Sequence, residues 1–153
     1  MTTEKLKNTH WHHVAISVRD MDRALAFYRD LLGFDLEWEL DHVSHEIVDK
    51  IVGLKEVDVR VAMLSGYGTR LELFHYYNPA GEEGAARRQC DFGITHICLH
   101  VEDVCGTYER LVEKGVEFHS PPQNHRPDGW VTYMKDPEGV VIELLNRGDD
   151  SAQ

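Results

Sequence analysis

HHVAISVRDMDRALAFYRDLLGF, residues 12–34, and THICLHVEDVCGTYERLVEKGVEF, residues 95–118, carry one pattern written twice. In each copy a histidine stands seven residues before an aspartate: His13 before Asp20, and His96 before Asp103. Between them apolar residues alternate, Val14, Ile16 and Val18 answering Ile97, Leu99 and Val101. Alternation of this kind is the mark of a strand with one buried face. Asp20 and Asp103 then offer N-cap side chains, and apolar residues recur at helical spacing, Met21, Leu25, Tyr28 and Leu32 in one copy and Val104, Tyr108 and Leu111 in the other. Gly33 and Gly115 end the two helices.

The copies also close alike. GTRLELF (68–74) matches GVVIELL (139–145), with Glu72 and Glu143 four residues after Gly68 and Gly139. Middle strands fit VRVAML (59–64) and WVTYM (130–134), and further strands are expected near 34–40 and 116–119. The expected fold is therefore α+β, with tandem βαβββ modules at 11–77 and 93–147 joined by a linker at 78–92. The first copy is longer between its histidine and its glutamate by about a dozen residues, placed at 41–56 as a short helix or lid.

Side chains on a strand alternate faces, so the branched apolar set in each opening strand faces the helices and His13 and His96 take the opposite, open face. The same parity holds at the closing strands, where Leu71 and Leu73 flank Glu72, and Ile142 and Leu144 flank Glu143. A carboxylate in mid-strand among aliphatic residues is costly to bury without a partner, and a metal ion supplies one. Two histidines and two glutamates in matching register suit one divalent ion such as Zn, Ni, Co, Mn or Fe(II). His12, with opposite parity to His13, is read as flanking the sheet on its apolar side. His42 and His45 are read as solvated loop residues within the insertion.

The balance of the chain narrows its partners. A formal net charge of −11 over 153 residues repels phosphate backbones and anionic lipid, so neither nucleic acid nor a membrane surface is expected. No apolar run approaches the roughly 20 residues needed to cross a bilayer, and the opening residues lack the apolar stretch of a signal peptide, which makes a cytoplasmic location the expectation. Cys90, Cys98 and Cys105 are odd in number and form no paired motif, so they are read as reduced thiols.

These openings and closings, with DPEGVVIELLN at 136–146, resemble the vicinal-oxygen-chelate superfamily over about residues 11–147. That superfamily includes glyoxalase I, methylmalonyl-CoA epimerase, fosfomycin-resistance and bleomycin-binding proteins, and extradiol dioxygenases. The resemblance implies that the two modules form a curved, mixed half-barrel sheet around one divalent metal held at His13, Glu72, His96 and Glu143. It also implies a small substrate chelating through adjacent oxygens, and proton transfer beside a polarised carbonyl with Glu143 as base and Glu72 as its counterpart. Ser17 and Tyr76 stand where bacterial glyoxalase I has an arginine and an asparagine, and Val61 stands where the epimerase has a second acid. Arg126, Trp130 and Tyr133 are candidates for substrate contact, with structural packing the preferred reading for the two aromatics. The competing expectations are an Fe(II) ring-cleaving dioxygenase and a non-catalytic binding protein. Open sheet edges make a homodimer the expected assembly.

Overall fold

A computed structural model of the chain describes residues 9–84, 87–126 and 129–147, with the side chains of His125, Arg126 and Arg147 outside that description. Contacts divide the chain into two compact units, Met1–Gly81 and Glu82–Gln153. The first contains β1 (Val14–Ser17), α1 (Met21–Leu25) running into a π-helical segment (Ala26–Leu31), β2 (Asp35–Val43), α2 (Glu46–Val52), β3 (Asp58–Gly66) and β4 (Thr69–Asn78). The second contains β5 (Ile97–His100), α3 (Val104–Glu113), β6 (Gln123–Arg126), β7 (Gly129–Lys135) and β8 (Val141–Arg147).

The fold is α+β, and each unit is a βαβββ module built on one open, mixed sheet. Strand orders are β1-β4-β3-β2 and β5-β8-β7-β6. The opening strand lies parallel to the closing strand in both units, and the remaining pairs are antiparallel.

The helices start where the sequence places their caps. Asp20 Oδ1 accepts from the Arg23 amide at 3.0 Å, and Asp103 Oδ1 accepts from the Gly106 amide at 2.9 Å. Each cap satisfies one of the amides that a helix N-terminus leaves without an internal partner. Gly33 and Gly115 sit just beyond the helical segments at φ of 84° and 83°, a left-handed conformation that a residue without Cβ adopts at little cost. The first helix departs from a uniform α-helix after Leu25. The wider π-helical turn shifts the phase of the residues that follow it, and the consecutive rings of Phe27 and Tyr28 are both buried, edge to face at 5.1 Å.

Parity along the strands is as the alternation requires. Ile16 and Val18 are buried while Ala15 and Ser17 are exposed, and Leu71 and Leu73 are buried on either side of a half-buried Glu72. In β8, Ile142 and Leu144 are buried around Glu143. Burying each such aliphatic side chain stabilises the module by about 1.5–3 kcal/mol, so the buried flanks hold the register that presents the carboxylates.

Two expectations are corrected. Residues 116–119 do not form a strand: Phe118 makes a single bridge to Met134, and the second strand of this module is β6, at 123–126. Pro121 and Pro122 intervene, and a residue without an amide proton cannot extend the pairing between those two segments. The insertion is also shorter than 41–56, because β2 continues through Val43 before α2 begins. The helix α2 ends at Gly53 in the left-handed conformation. Its Val48 and Val52, with Val43, pack against Val57, Val59 and Val61, where Phe74 and Tyr76 also pack. Phe74 and Tyr76 share strand parity with Glu72, so α2 covers part of the face on which Glu72 stands.

Candidate metal centre

In the first unit β1 runs beside β4 with Ala15 opposite Glu72. His13 precedes that strand by one residue, and its Nε2 comes 3.1 Å from Glu72 Oε2. The second unit repeats the construction, with Cys98 opposite Glu143 and His96 Nε2 3.0 Å from Glu143 Oε2. In both couples the histidine is the more open member and the carboxylate the deeper one, with side-chain exposures of 35% and 16% in one and 30% and 16% in the other.

The four residues singled out by spacing therefore fall into two like couples, His13 with Glu72 and His96 with Glu143. Among the described residues no group of three or more His, Cys, Asp or Glu side chains is gathered to hold an ion. Each couple nevertheless has the donor chemistry and spacing of neighbouring ligands. Nitrogen and oxygen donors bonded to one divalent ion at about 2.0–2.2 Å, and adjacent around it, lie roughly 3.0–3.5 Å apart. Imidazole nitrogen with carboxylate oxygen suits ions of intermediate hardness. Each couple by itself fits two neighbouring ligands of the metal that the sequence implies.

Aromatic side chains back the couples. In the second unit Tyr133 lies opposite Glu143 across the β7–β8 ladder and stacks on His96, ring centroids 5.2 Å apart at 29°. His119 meets the edge of the same tyrosine at 6.0 Å. Burial, followed by the nearby charge of Glu143, pushes the Tyr133 phenol above its ordinary range. In the first unit Met63 is opposite Glu72, and Tyr76 has its phenol raised in the same way, by burial and then by Glu72. Trp130 is exposed, and the Arg126 side chain lies outside the described residues.

His12 is placed differently from its expected position. It is exposed, not packed on the apolar side, and its Nδ1 lies 2.8 Å from His13 Nδ1. Strand alternation predicts opposite faces for these two residues, but β1 begins only at Val14, so alternation does not govern them. Thr95 holds the equivalent place before His96, with Oγ1 3.0 Å from His96 Nδ1. Nothing in the sequence marked Thr95 apart from its position. Next to the first couple, Trp11, His12, Tyr67 and Arg70 help to line an open hollow of about 270 Å³.

His42 is another residue whose partners the sequence left unread. It sits at φ 50° where the β2–β3 register slips, its Nδ1 is 3.0 Å from Asp58 Oδ2, and its ring stacks on Tyr77 at 4.5 Å. Asp58 and Tyr77 hold His42 against the start of β3 and the end of β4, away from any periodic signal.

The comparisons with known proteins agree with this architecture. The Glyoxalase/Bleomycin resistance protein/Dioxygenase superfamily profile matches residues 10–144. A 2-epi-5-epi-valiolone epimerase of Actinomyces sp. is 34% identical over 146 residues, covering 88% of this chain and 78% of the relative. An ethylmalonyl-CoA/methylmalonyl-CoA epimerase of Cereibacter sphaeroides is 33% identical over 137 residues, covering 87% and 94%. A probable lactoylglutathione lyase of a Synechocystis strain is 32% identical over 136 residues, covering 87% and 92%. Among solved structures, a glyoxalase family protein from Bacillus cereus superposes with a TM-score of 0.81 at 24% identity, over 95% of this chain and 97% of that one, which speaks for the fold alone.

Proposed function

We infer a function from one premise: this chain belongs to the Glyoxalase/Bleomycin resistance protein/Dioxygenase superfamily. Curated relatives at about one-third identity are named as epimerases and a lactoylglutathione lyase, so enzyme chemistry of that general kind is the starting point. We propose that the chain is a metal-dependent enzyme that moves a proton at the carbon next to a carbonyl, as an epimerase, isomerase or glyoxalase-type lyase. Its substrate is a small molecule with adjacent oxygens. The observation that carries this reading is the duplicated couple, His13 with Glu72 and His96 with Glu143, at 3.1 and 3.0 Å in equivalent places.

In this proposal all four residues hold one divalent ion, one of Zn, Ni, Co, Mn or Fe(II). When bound, such an ion supplies coordination sites for two neighbouring substrate oxygens and polarises the carbonyl, lowering the barrier to proton loss at the adjacent carbon. The chain's own groups do the rest. Glu143 takes the proton from that carbon, and Glu72 delivers or removes one at the opposite face. Return to the opposite face of the same carbon gives epimerisation, and delivery to the neighbouring carbon, the former carbonyl carbon, gives isomerisation. Tyr133, neutral and stacked on His96, keeps water from one side of that imidazole and holds its ring plane.

Both branches stay open, because the resemblance to the epimerase implies a second acid where the buried Val61 stands. The resemblance to glyoxalase I implies an arginine where Ser17 stands exposed at the end of β1, and an asparagine where the partly buried Tyr76 stands.

The test is proton exchange with heavy water. Protein loaded in turn with zinc, nickel, cobalt, manganese and, without air, iron(II) is incubated in heavy water with 2-epi-5-epi-valiolone, methylmalonyl-CoA or lactoylglutathione. Deuterium gained at the carbon beside the carbonyl is read by mass spectrometry. The expected result is exchange in wild-type protein and its loss by about 100-fold or more in Glu143→Gln, the worth of a general base. Oxygen uptake by the iron-loaded protein with catechols, and no exchange with any metal, would overturn the proposal in favour of a ring-cleaving dioxygenase.

A further inference from the structure

We propose that His12 and Thr95 are positioning residues which fix the two metal-binding histidines by their second ring nitrogen. The inference rests on the metal reading above and concerns how the chain prepares its own ligands.

Both histidines turn Nε2 toward a glutamate, His13 toward Glu72 and His96 toward Glu143. That leaves Nδ1 of each ring facing back along the chain, and in each unit the preceding residue meets it. His12 Nδ1 lies 2.8 Å from His13 Nδ1, and Thr95 Oγ1 lies 3.0 Å from His96 Nδ1. Two chemically different side chains thus reach the same atom at the same place in the repeated module. Strand geometry does not compel this, because successive strand residues point to opposite faces. It is possible because β1 and β5 begin one residue after the ligand histidines, at Val14 and Ile97. The short irregular lead-in to each strand lets neighbouring side chains touch.

A neutral imidazole has one N–H and one lone pair on its two nitrogens. When Nε2 gives its lone pair to an ion, the proton must sit on Nδ1, and it needs an acceptor. The hydroxyl of Thr95 can accept it by simple rotation. His12 can accept it only with its own proton on Nε2, so a defined tautomer of His12 accompanies a defined tautomer of His13. Residues that hold a metal-binding histidine in this way set its ring orientation and its basicity, and losing one costs about 10–100-fold in metal affinity. The first couple is held by a ring meeting His13 edge to face at 5.0 Å, and the second by a hydroxyl on one side and by the stacked Tyr133 on the other.

The experiment uses the full chain loaded with zinc and labelled with nitrogen-15 at histidine. Long-range proton–nitrogen correlation spectra are expected to show His13 and His96 protonated at Nδ1 and unprotonated at Nε2, with His12 protonated at Nε2. The Nδ1 proton of His96 should exchange slowly with water in wild-type protein and quickly in Thr95→Val. Zinc affinity, measured by competition with a chromophoric chelator, should fall about 10–100-fold in Thr95→Val and in His12→Phe. It should return to within a few-fold of wild type in Thr95→Ser and in His12→Asn, whose side-chain oxygen falls near the place of the lost Nδ1. Wild-type affinity in both Thr95→Val and His12→Phe, or Nε2 protonation of the zinc-bound His13 and His96, would overturn the inference while leaving the metal reading intact. Wild-type protein that takes up no zinc, nickel, cobalt, manganese or iron(II) would overturn both.

Discussion

Tyr133 lies flat against His96, ring centroids 5.2 Å apart and planes 29° from parallel, while its backbone pairs with Glu143 in the neighbouring strand. One aromatic residue therefore touches both members of the second couple, through its ring and through its register. Tyr133→Ala removes the wall behind His96 and is expected to weaken metal retention several-fold, whereas Tyr133→Phe keeps the stack and the metal. His96→Ala removes a proposed ligand and is expected to strip most of the metal with the fold intact. Elemental analysis of protein purified without added metal, beside far-ultraviolet circular dichroism, checks all three variants. Full metal content in His96→Ala would exclude the four-residue site.

The helix α2 seats Val48 and Val52 on the valine cluster that shares a face with Phe74, Tyr76 and Glu72. Val52→Asp places a charge in that contact and is expected to free α2 from the sheet. Proteolysis near Gly53 should accelerate, while zinc affinity, if it rests on the proposed set of His13, Glu72, His96 and Glu143, should change little. Limited trypsin digestion, reading cleavage at Lys50 and Lys55, measures the first effect.

The ion pair between His42 and Asp58 ties the end of β2 to the start of β3. Its hydrogen bond, and then the charge of Asp58, raise the His42 imidazole above its ordinary range. A raised folded-state value means that the charged imidazole is favoured by folding. The resulting stability is present in full below the unfolded-chain value and is lost as pH rises through the folded-state value. Asp58→Asn should therefore lower the melting temperature more at pH 5.5 than at pH 8.5. An equal decrease at both would show that the pair contributes through packing alone.

Asp20 and Asp103 each cap one helix with a single carboxylate-to-amide hydrogen bond. Replacement by alanine should cost about 1 kcal/mol in each case, and Asp→Asn less than half of that, since asparagine caps nearly as well. Urea unfolding with an unchanged slope would register these as losses of folded-state stability.

β2 is an edge strand, and Trp38 and Leu40 on it are 40% and 56% exposed, with Ile47 and Ile51 of α2 at 68% and 76%. Exposed edges and apolar patches are commonly covered by a second copy of the chain. A homodimer is expected at micromolar concentration, weakened by Leu40→Lys. Sedimentation showing only monomer in the wild-type protein would count against it.

The repeat, the caps at Asp20 and Asp103, the turn glycines and the parity of Glu72 and Glu143 could all be read from the chain alone. They depend on periods of about 2 and 3.6 residues and on the conformational tastes of single residue types, which are local properties of the backbone. The pairing of each histidine with its glutamate was legible only as a register of spacing; the 3.1 and 3.0 Å distances required parallel strands brought together from far apart in sequence. Tertiary structure alone decided that residues 116–119 give way to β6, that the first helix widens to bury Phe27 beside Tyr28, and that His42 finds Asp58. It also decided that His12 and Thr95 reach Nδ1 of His13 and of His96. Where a strand begins, and which side chain fills a given space, are settled by competition among contacts distant along the chain. Because β1 begins at Val14, two residues after His12, alternation does not fix the face that His12 takes.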